Sequence, residues 1–245
     1  MIYYNDATGS ALGGVLMSVR TVSLLTLLLL IAPVAADIPP HASEKELEDP
    51  NWWWEHHRGP VWATRYPEVW NKIVLKYEDP EDREKVSKLG EALRHPPRGF
   101  ELWIWFILGM ALVLPPASRV GFLKFFKYKT WEAPEWLIQY CGTIILSMAY
   151  LAIIAMGRAY VLNCSVYYVM IGKLSEAYRT FYLWTAYAEP FLLAFNAAIP
   201  LILVSKLELP YRRLKAGILI AWLASLVLNV HMHSESLTLL STLGG

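Results

Sequence analysis

The chain has 245 residues, of which 56% are hydrophobic and 18% are charged, and eleven of them are tryptophan. Soluble domains contain about a quarter charged residues, so this composition and a mean hydropathy of +0.33 indicate a membrane-embedded protein and argue against a soluble enzyme. A net charge of +1 argues against nucleic acid as a partner. Two cysteines, Cys141 and Cys164, are too few for a disulfide framework or a cysteine zinc site.

The first 36 residues have the pattern of an export signal. A basic front precedes the apolar run 21–34, and small residues lie directly before a predicted cut between Ala36 and Asp37. We therefore predict that residues 1–36 are a prefix and a cleavable signal peptide, with Met17 as an alternative start. The other reading is an uncleaved signal anchor. The run is short for a span of about 20 residues, which favours cleavage.

Residues 37–100 form a polar segment with no predicted span. Two short helices are expected in it, the first opening at Pro67 and the second at Pro80, because proline and acidic residues favour a helix start. Their apolar stripes are Val69, Ile73 and Tyr77 in the first helix and Val86, Leu89 and Leu93 in the second. Stripes this narrow do not form an independent core. The segment is expected to rest on a membrane surface, on the spans or on a partner protein.

The same segment is rich in tryptophan, at Trp52, Trp53, Trp54, Trp62 and Trp70. Indole rings are enriched where hydrocarbon meets lipid headgroups, which predicts that this extracytoplasmic segment lies along the membrane interface. Tryptophan is also concentrated in binding hot spots. The alternatives are therefore a docking surface for another subunit and a stacking platform for carbohydrate.

Residues 101–245 are expected to form the transmembrane domain, with four spans at about 102–118, 136–157, 181–205 and 216–232. The first and third loops between spans carry Arg119, Lys124, Lys127, Lys129, Lys206, Arg212, Arg213 and Lys215, whereas the second carries Arg158, Lys173 and Arg179. Basic residues are retained in the cytoplasm, so both termini are predicted to be extracytoplasmic.

The predicted fold is thus all-α and polytopic, in a cell membrane or, in a eukaryote, a membrane derived from the endoplasmic reticulum. Residues 159–172 fit this scheme in three ways. They extend the second span, lie flat in the interface, or form a re-entrant segment.

Glu189 is the carboxylate that lies well inside a predicted span, directly before Pro190. A charge in hydrocarbon is costly, so this group must be protonated, paired or in contact with water. Asn196 falls on roughly the same helix face. One reading is a proton or ion site at a bent helix; the other is a buried contact that fixes packing, with Arg158 as the expected partner of Glu189.

Two histidine pairs, His56 with His57 and His231 with His233, fall on the extracytoplasmic side of this topology. Imidazole is the commonest metal ligand, so a copper-type metal site is one hypothesis. Residues i and i+2 of a helix diverge by about 200°. His231 and His233 can therefore share an ion only if the chain there is extended.

Nucleotide-binding glycine loops and haem-ligating histidines within the spans are absent from the sequence. The leading functional hypothesis is an accessory or structural subunit of a larger multi-subunit membrane complex, without catalytic activity of its own. It predicts other membrane subunits as partners, besides the lipid bilayer. The first alternative is a small transporter or proton-conducting component that uses Glu189 and Arg158. The second is a membrane metal enzyme or metal handler that uses the extracytoplasmic histidines.

Overall fold

The computed structural model describes residues 42–56, 59–94, 100–119 and 135–244, and these are all-helical, with no strand among them. The predicted signal peptide, His57 and the loop 120–134 lie outside the described residues.

Residues 42–94 form a layer of short helices, which we call the cap. Its elements are α1 (Glu44–Leu47), α2 (Pro50–His56), a 3₁₀ turn (Pro60–Arg65), α3 (Pro67–Leu75) and α4 (Pro80–Arg94). The predicted starts of α3 and α4 are confirmed, and both helices bury narrow apolar stripes. Tyr77, which was predicted in the stripe of α3, is buried but lies two residues beyond the end of that helix. The first two helices and the 3₁₀ turn were not predicted.

Side-chain caps explain where these short helices begin. Ser43 and Glu46 form a capping box at α1, in which the Ser43 Oγ accepts from the Glu46 N–H and the Glu46 carboxylate accepts from the Ser43 N–H. At α4, the Asp79 Oδ1 accepts from the Glu81 N–H at 2.9 Å, and Pro80 occupies the first helical position. Each cap satisfies a backbone donor that the helix leaves unpaired.

The rest of the described chain consists of long helices. They are α5 (Phe100–Arg119), α6 (Glu135–Met170), a run made of α7 (Leu174–Leu183), a π-helical turn (Trp184–Ala188) and α8 (Glu189–Lys206), and finally α9 (Arg212–Gly244). Two of them, α6 and α9, have the length and apolar composition needed to cross a membrane. The ends of α8 and α9 that carry Lys206 and Arg212 are called the basic end below.

These helices are longer than the predicted spans. With 36 residues, α6 is about 54 Å long, whereas the hydrocarbon core of a bilayer is about 30 Å thick. The ambiguous residues 159–170 continue α6 without a break. Gly172, whose φ is 77°, then reverses the chain: its N–H donates to the Val169 carbonyl at 3.0 Å, as in a glycine-terminated helix.

The cap rests on the far ends of the long helices. Trp53, Trp70 and Ile73 are fully buried in one cluster with Val169 and Phe181, which also takes in Leu239 and Leu243 of α9. Of the three supports expected for residues 37–100, the described chain thus supplies one itself, its own helices. A second apolar cluster lies towards the basic end, between α5, α6 and α9, and includes Trp105, Leu137, Tyr140, Ile144, Ile218 and Trp222.

Candidate functional site

A layer of polar side chains lies between the two apolar clusters. We call it the polar layer, and it consists of Arg158 of α6, Trp184 of the π-helical turn, Glu189 of α8, and His233, Glu235 and Ser236 of α9. Three long helical runs therefore contribute charged or hydrogen-bonding groups to one level of the bundle.

Glu189 is the centre of this layer, with only 1% of its surface exposed. Its Oε1 accepts hydrogen bonds from the Trp184 Nε1–H at 2.6 Å and from the Ser236 hydroxyl at 2.8 Å. Its Oε2 lies 2.7 Å from the His233 Nδ1. A buried carboxylate is tolerated only when it is paired or hydrogen-bonded, and these three contacts meet that requirement.

The π-helical turn before Glu189 sets the position of the indole. The Glu189 N–H donates to the Trp184 carbonyl, five residues back, instead of the usual four. Pro190 follows directly. It has no N–H and its ring crowds the preceding turn, and a widened turn relieves that crowding. Opposite Trp184 lies Gly157, where a Cβ would be 2.6 Å from the indole Cη2. The glycine therefore makes room for the ring that bonds Glu189.

Arg158 is paired with Glu235, and the expected contact with Glu189 is therefore wrong. The Arg158 Nη1 is 3.0 Å from the Glu235 Oε2, and the arginine side chain is 4% exposed. Both residues lie 23 positions from the start of their helices, Arg158 counted from Glu135 and Glu235 from Arg212, about 35 Å at 1.5 Å per residue. The two side chains are therefore at the same level of the bundle.

The two α9 histidines face different carboxylates. His233 contacts Glu189, whereas the His231 Nε2 lies 3.6 Å from the Glu235 Oε1. Because α9 continues as a helix to Gly244, the extended backbone that a shared ion requires is not present at these residues. His56 stacks on Trp52, with its Nδ1 3.1 Å from the Trp52 carbonyl oxygen. Among the described residues, no group of three or more potential metal ligands lies close together.

Several buried polar atoms near the layer have no hydrogen-bond partner in the described chain. They are the Arg158 Nε and Nη2, the Thr185 Oγ1, the Asn196 Oδ1 and the Asn229 Nδ2. Most buried polar groups in proteins are satisfied, so each exception needs an explanation. Asn196 is seven positions nearer the basic end than Glu189 on α8, and Asn229 is four positions nearer it than His233 on α9.

The polar side chains follow one line along the contact between α8 and α9. Glu189 and Asn196 are seven positions apart, and so are Asn229 and Ser236, which puts each pair on one helix face. The Asn196 Nδ2 donates to the Ser225 Oγ at 3.3 Å. We call Ser225, Asn229 and Asn196 the polar stripe. It continues the polar layer for about 15 Å towards the basic end, at 1.5 Å per residue.

The tryptophans expected at the interface divide into two groups. Trp52, Trp53 and Trp70 are buried in the cap's cluster, and Trp62 is half-buried under the guanidinium of Arg65. Trp54 alone among these five keeps a large exposed fraction, 39%. Whether the cap lies along a lipid surface stays a prediction.

Three members of the polar layer were not predicted from the sequence: Trp184, Glu235 and Ser236. The last two follow residue 232, the predicted end of the fourth span, after which the hydropathy falls. Their spacing from the two histidines could have indicated them. Ser236 is three positions after His233 and Glu235 is four after His231, the separations at which helical side chains share a face.

No family model matches the chain, and no curated protein or solved structure is detectably similar to it.

Proposed function

We propose that the chain is a four-span membrane protein whose Glu189–His233 pair binds and releases protons during transport of protons or of an ion coupled to them. The observation that carries this proposal is one contact. Glu189, which is almost fully buried, lies 2.7 Å from His233, whose side chain is 19% exposed. Histidine is the side chain that exchanges protons near neutral pH.

The placement of the spans is part of the proposal. It rests on the lysines and arginines at the basic end, which the positive-inside tendency assigns to the cytoplasm, and on the two membrane-length helices. By residue count, Glu189 is about 26 Å and His233 about 32 Å from the basic end. With a hydrocarbon core of about 30 Å, the pair lies near the outer boundary of the hydrocarbon.

The contact supports a simple proton cycle. With neutral His233, the Nδ1–H donates to the Glu189 carboxylate and the pair carries one negative charge. A proton taken up at the Nε2 makes the pair neutral, which lowers the cost of moving it through an apolar environment. The donors Trp184 and Ser236 hold the carboxylate in place in both states. The neighbouring Arg158–Glu235 pair has no net charge and adds none to this balance.

The polar stripe supports a path from this pair towards the middle of the membrane. The unpaired atoms of Asn229 and Asn196 are of the kind that buried water satisfies. Beyond Ser225 the contact becomes apolar, with Ala221 and Ile218 fully buried. The proposed path is therefore open towards the extracytoplasmic side and closed towards the basic end. Passage requires α8 to move against α9, and the π-helical turn is where that helical run is already irregular.

The test is proton flux in liposomes that contain the purified chain and an internal pH dye. Wild-type protein is expected to dissipate an imposed pH gradient, and Glu189→Gln to slow this at least tenfold. Glutamine keeps the Oε1 acceptor for Trp184 and Ser236, so the thermal unfolding temperature should change little. Glu176→Gln, an exposed carboxylate of α7, is the matched control and should retain full flux.

A second variant separates proton exchange from hydrogen bonding. His233→Asn places an amide donor near the position of the Nδ1, but it cannot exchange a proton near neutral pH. We expect the fold to persist and the flux to be lost. The proposal is wrong if wild-type liposomes leak no faster than empty ones, or if Glu189→Gln changes stability alone.

The two other hypotheses stay predictions. An accessory subunit should be purified in mild detergent with stoichiometric partners. The apolar stripes of α3 and α4 were one reason to expect a partner protein. That reason is weaker because the chain's own long helices cover these stripes. A metal enzyme should contain stoichiometric copper, zinc or iron by elemental analysis.

A further inference from the structure

A cavity of about 390 Å³ lies between α2 and α6, away from the polar layer. Trp54 of the cap lines one side, and a stripe of α6 made of Tyr160, Cys164, Tyr167 and Tyr168 lines the other. The α6 residues recur at intervals of four, three and one, so they form one face of the helix. Small-molecule sites commonly have volumes of about 300–1,000 Å³.

The rings stand at angles around the space instead of closing it by stacking. Trp54 and Tyr160 have ring centroids 6.1 Å apart and an interplanar angle of 47°, and Tyr167 and Tyr168 are 5.9 Å apart at 86°. Tyr160 is 63% exposed, so the cavity opens to the surroundings. Four aromatic side chains therefore face a space large enough for a ligand headgroup.

The chemistry of this lining favours a cation that makes no hydrogen bonds. Among the residues that the structure describes, the lining includes no acidic or basic side chain. Aromatic faces attract cations, and cages of aromatic rings are a known means of binding quaternary ammonium groups. A primary ammonium group would need acceptors such as carboxylates. The Tyr160 hydroxyl bonds the Cys164 side chain, whereas the hydroxyls of Tyr167 and Tyr168 and the indole N–H of Trp54 are donors that suit a phosphate next to the cation.

The edge of the cavity at Tyr160 is level with lipid headgroups under the span placement proposed above. Tyr160 lies 25 positions from the start of α6, about 38 Å at 1.5 Å per residue, and Tyr168 lies 33 positions along, about 50 Å. The hydrocarbon core is about 30 Å thick and the headgroup layers bring the bilayer to about 40–45 Å. The cavity therefore extends outward from the headgroup surface, and the headgroup of an outer-leaflet lipid can enter it at Tyr160.

We propose that this cavity binds the phosphocholine headgroup of an outer-leaflet lipid, with the rings on the trimethylammonium group and the hydroxyls on the phosphate. The bound lipid would join α2 of the cap to α6. This inference rests on the proposed span placement and does not depend on proton transport.

The test uses the full-length protein in a maltoside detergent, which has no choline. Short-chain phosphatidylcholine is added below its micelle concentration, and short-chain phosphatidylglycerol is added in parallel. We expect phosphatidylcholine to raise the thermal unfolding temperature, since a ligand that binds the folded state stabilises it. Phosphatidylglycerol should raise it much less. Equal shifts with the two lipids would overturn the proposal.

Two variants and one control locate the site. Tyr160→Leu and Trp54→Leu should each weaken binding at least tenfold. Tyr187→Leu, which removes an equally exposed tyrosine outside the cavity, should leave binding unchanged. Equal loss in all three variants would show unspecific adsorption. Free choline that binds as tightly as the lipid would show a solute site instead. Because no flux is measured, the result is independent of the Glu189 experiment.

Discussion

In the part of the chain that the structure describes, the buried polar side-chain atoms of the cap have hydrogen-bond partners, whereas several of those at the contact between α8 and α9 have none. In the cap, the Trp53 and Trp70 indoles donate to backbone carbonyls at 2.7 and 3.0 Å, and the Tyr77 hydroxyl donates to the Val169 carbonyl at 2.6 Å. No buried side-chain polar atom in the described part of the cap lacks a partner. Along the polar stripe, Asn196 and Asn229 each leave one unpaired, and so does Thr185 in the turn before Glu189.

The difference separates stability from function. A buried polar atom with no partner lowers stability by about 1–3 kcal/mol. A single substitution by an apolar residue would remove that cost. Polar side chains retained at such a cost are commonest at functional sites, whereas the fully paired ones of the cap serve the fold.

The largest expected effect is a loss of stability in the cap. A Cβ at Gly90 of α4 would overlap the Trp70 Nε1, so Gly90→Ala must displace the indole and break its bond to the Val86 carbonyl. We expect a loss of about 3 kcal/mol in the free energy of unfolding, from overpacking and a lost hydrogen bond. Gly142→Ala is the control, since a Cβ there meets nothing within 4 Å. The measurement is denaturant unfolding followed by tryptophan fluorescence.

A matched pair of asparagines tests the comparison directly. Asn163 is satisfied, because its Nδ2 donates to the Ala159 carbonyl and its Oδ1 accepts from the Val61 N–H, each at 2.9 Å. Asn163→Leu leaves that N–H unpaired and should cost about 2 kcal/mol. Asn229→Leu removes an unpaired amide nitrogen and should leave the free energy of unfolding unchanged or raise it, while it lowers proton flux. If both variants lose equal stability, the distinction between the two regions is wrong.

The smallest effect is a pH dependence of the cap. Burial, and secondly the charge of Asp82, raise the pKa of Tyr77 to about 12, above the value of about 10 expected in the unfolded chain. The Tyr77 hydroxyl of the folded state therefore stays protonated to a higher pH than that of the unfolded chain. The resulting stability is fully present below pH 10 and is lost as the pH rises from about 10 through 12. Tyr77→Phe should show a smaller decrease over this interval in unfolding experiments. An identical decrease in both proteins would contradict the assignment.

Local patterns were sufficient to predict part of this architecture. The starts and stripes of α3 and α4 followed from proline, acidic residues and apolar spacing, which act over a few residues. The length of α6 was not predicted, because a charged residue, Arg158, was interpreted as the end of the apolar run. Its partner Glu235 is 77 residues away, and no local pattern carries that contact.

The candidate site shows the same limit. Glu189 was singled out because a carboxylate in an apolar helix is costly wherever it lies. Its pairing with His233 depends on the relative heights of α8 and α9, which the loop between them and the packing of the bundle determine. His233 was therefore noted for metal binding, and Ser236 was not noted.

The bonds of Asn163 have a consequence for glycosylation. Asn163-Cys164-Ser165 matches the acceptor triplet for N-linked sugar. The sugar would be attached to the Asn163 Nδ2. In the finished protein that nitrogen is engaged by the Ala159 carbonyl within a continuous helix. A transferase can use the triplet only while the nascent polypeptide is still unwound. Any sugar found there would mark a molecule modified before it folded.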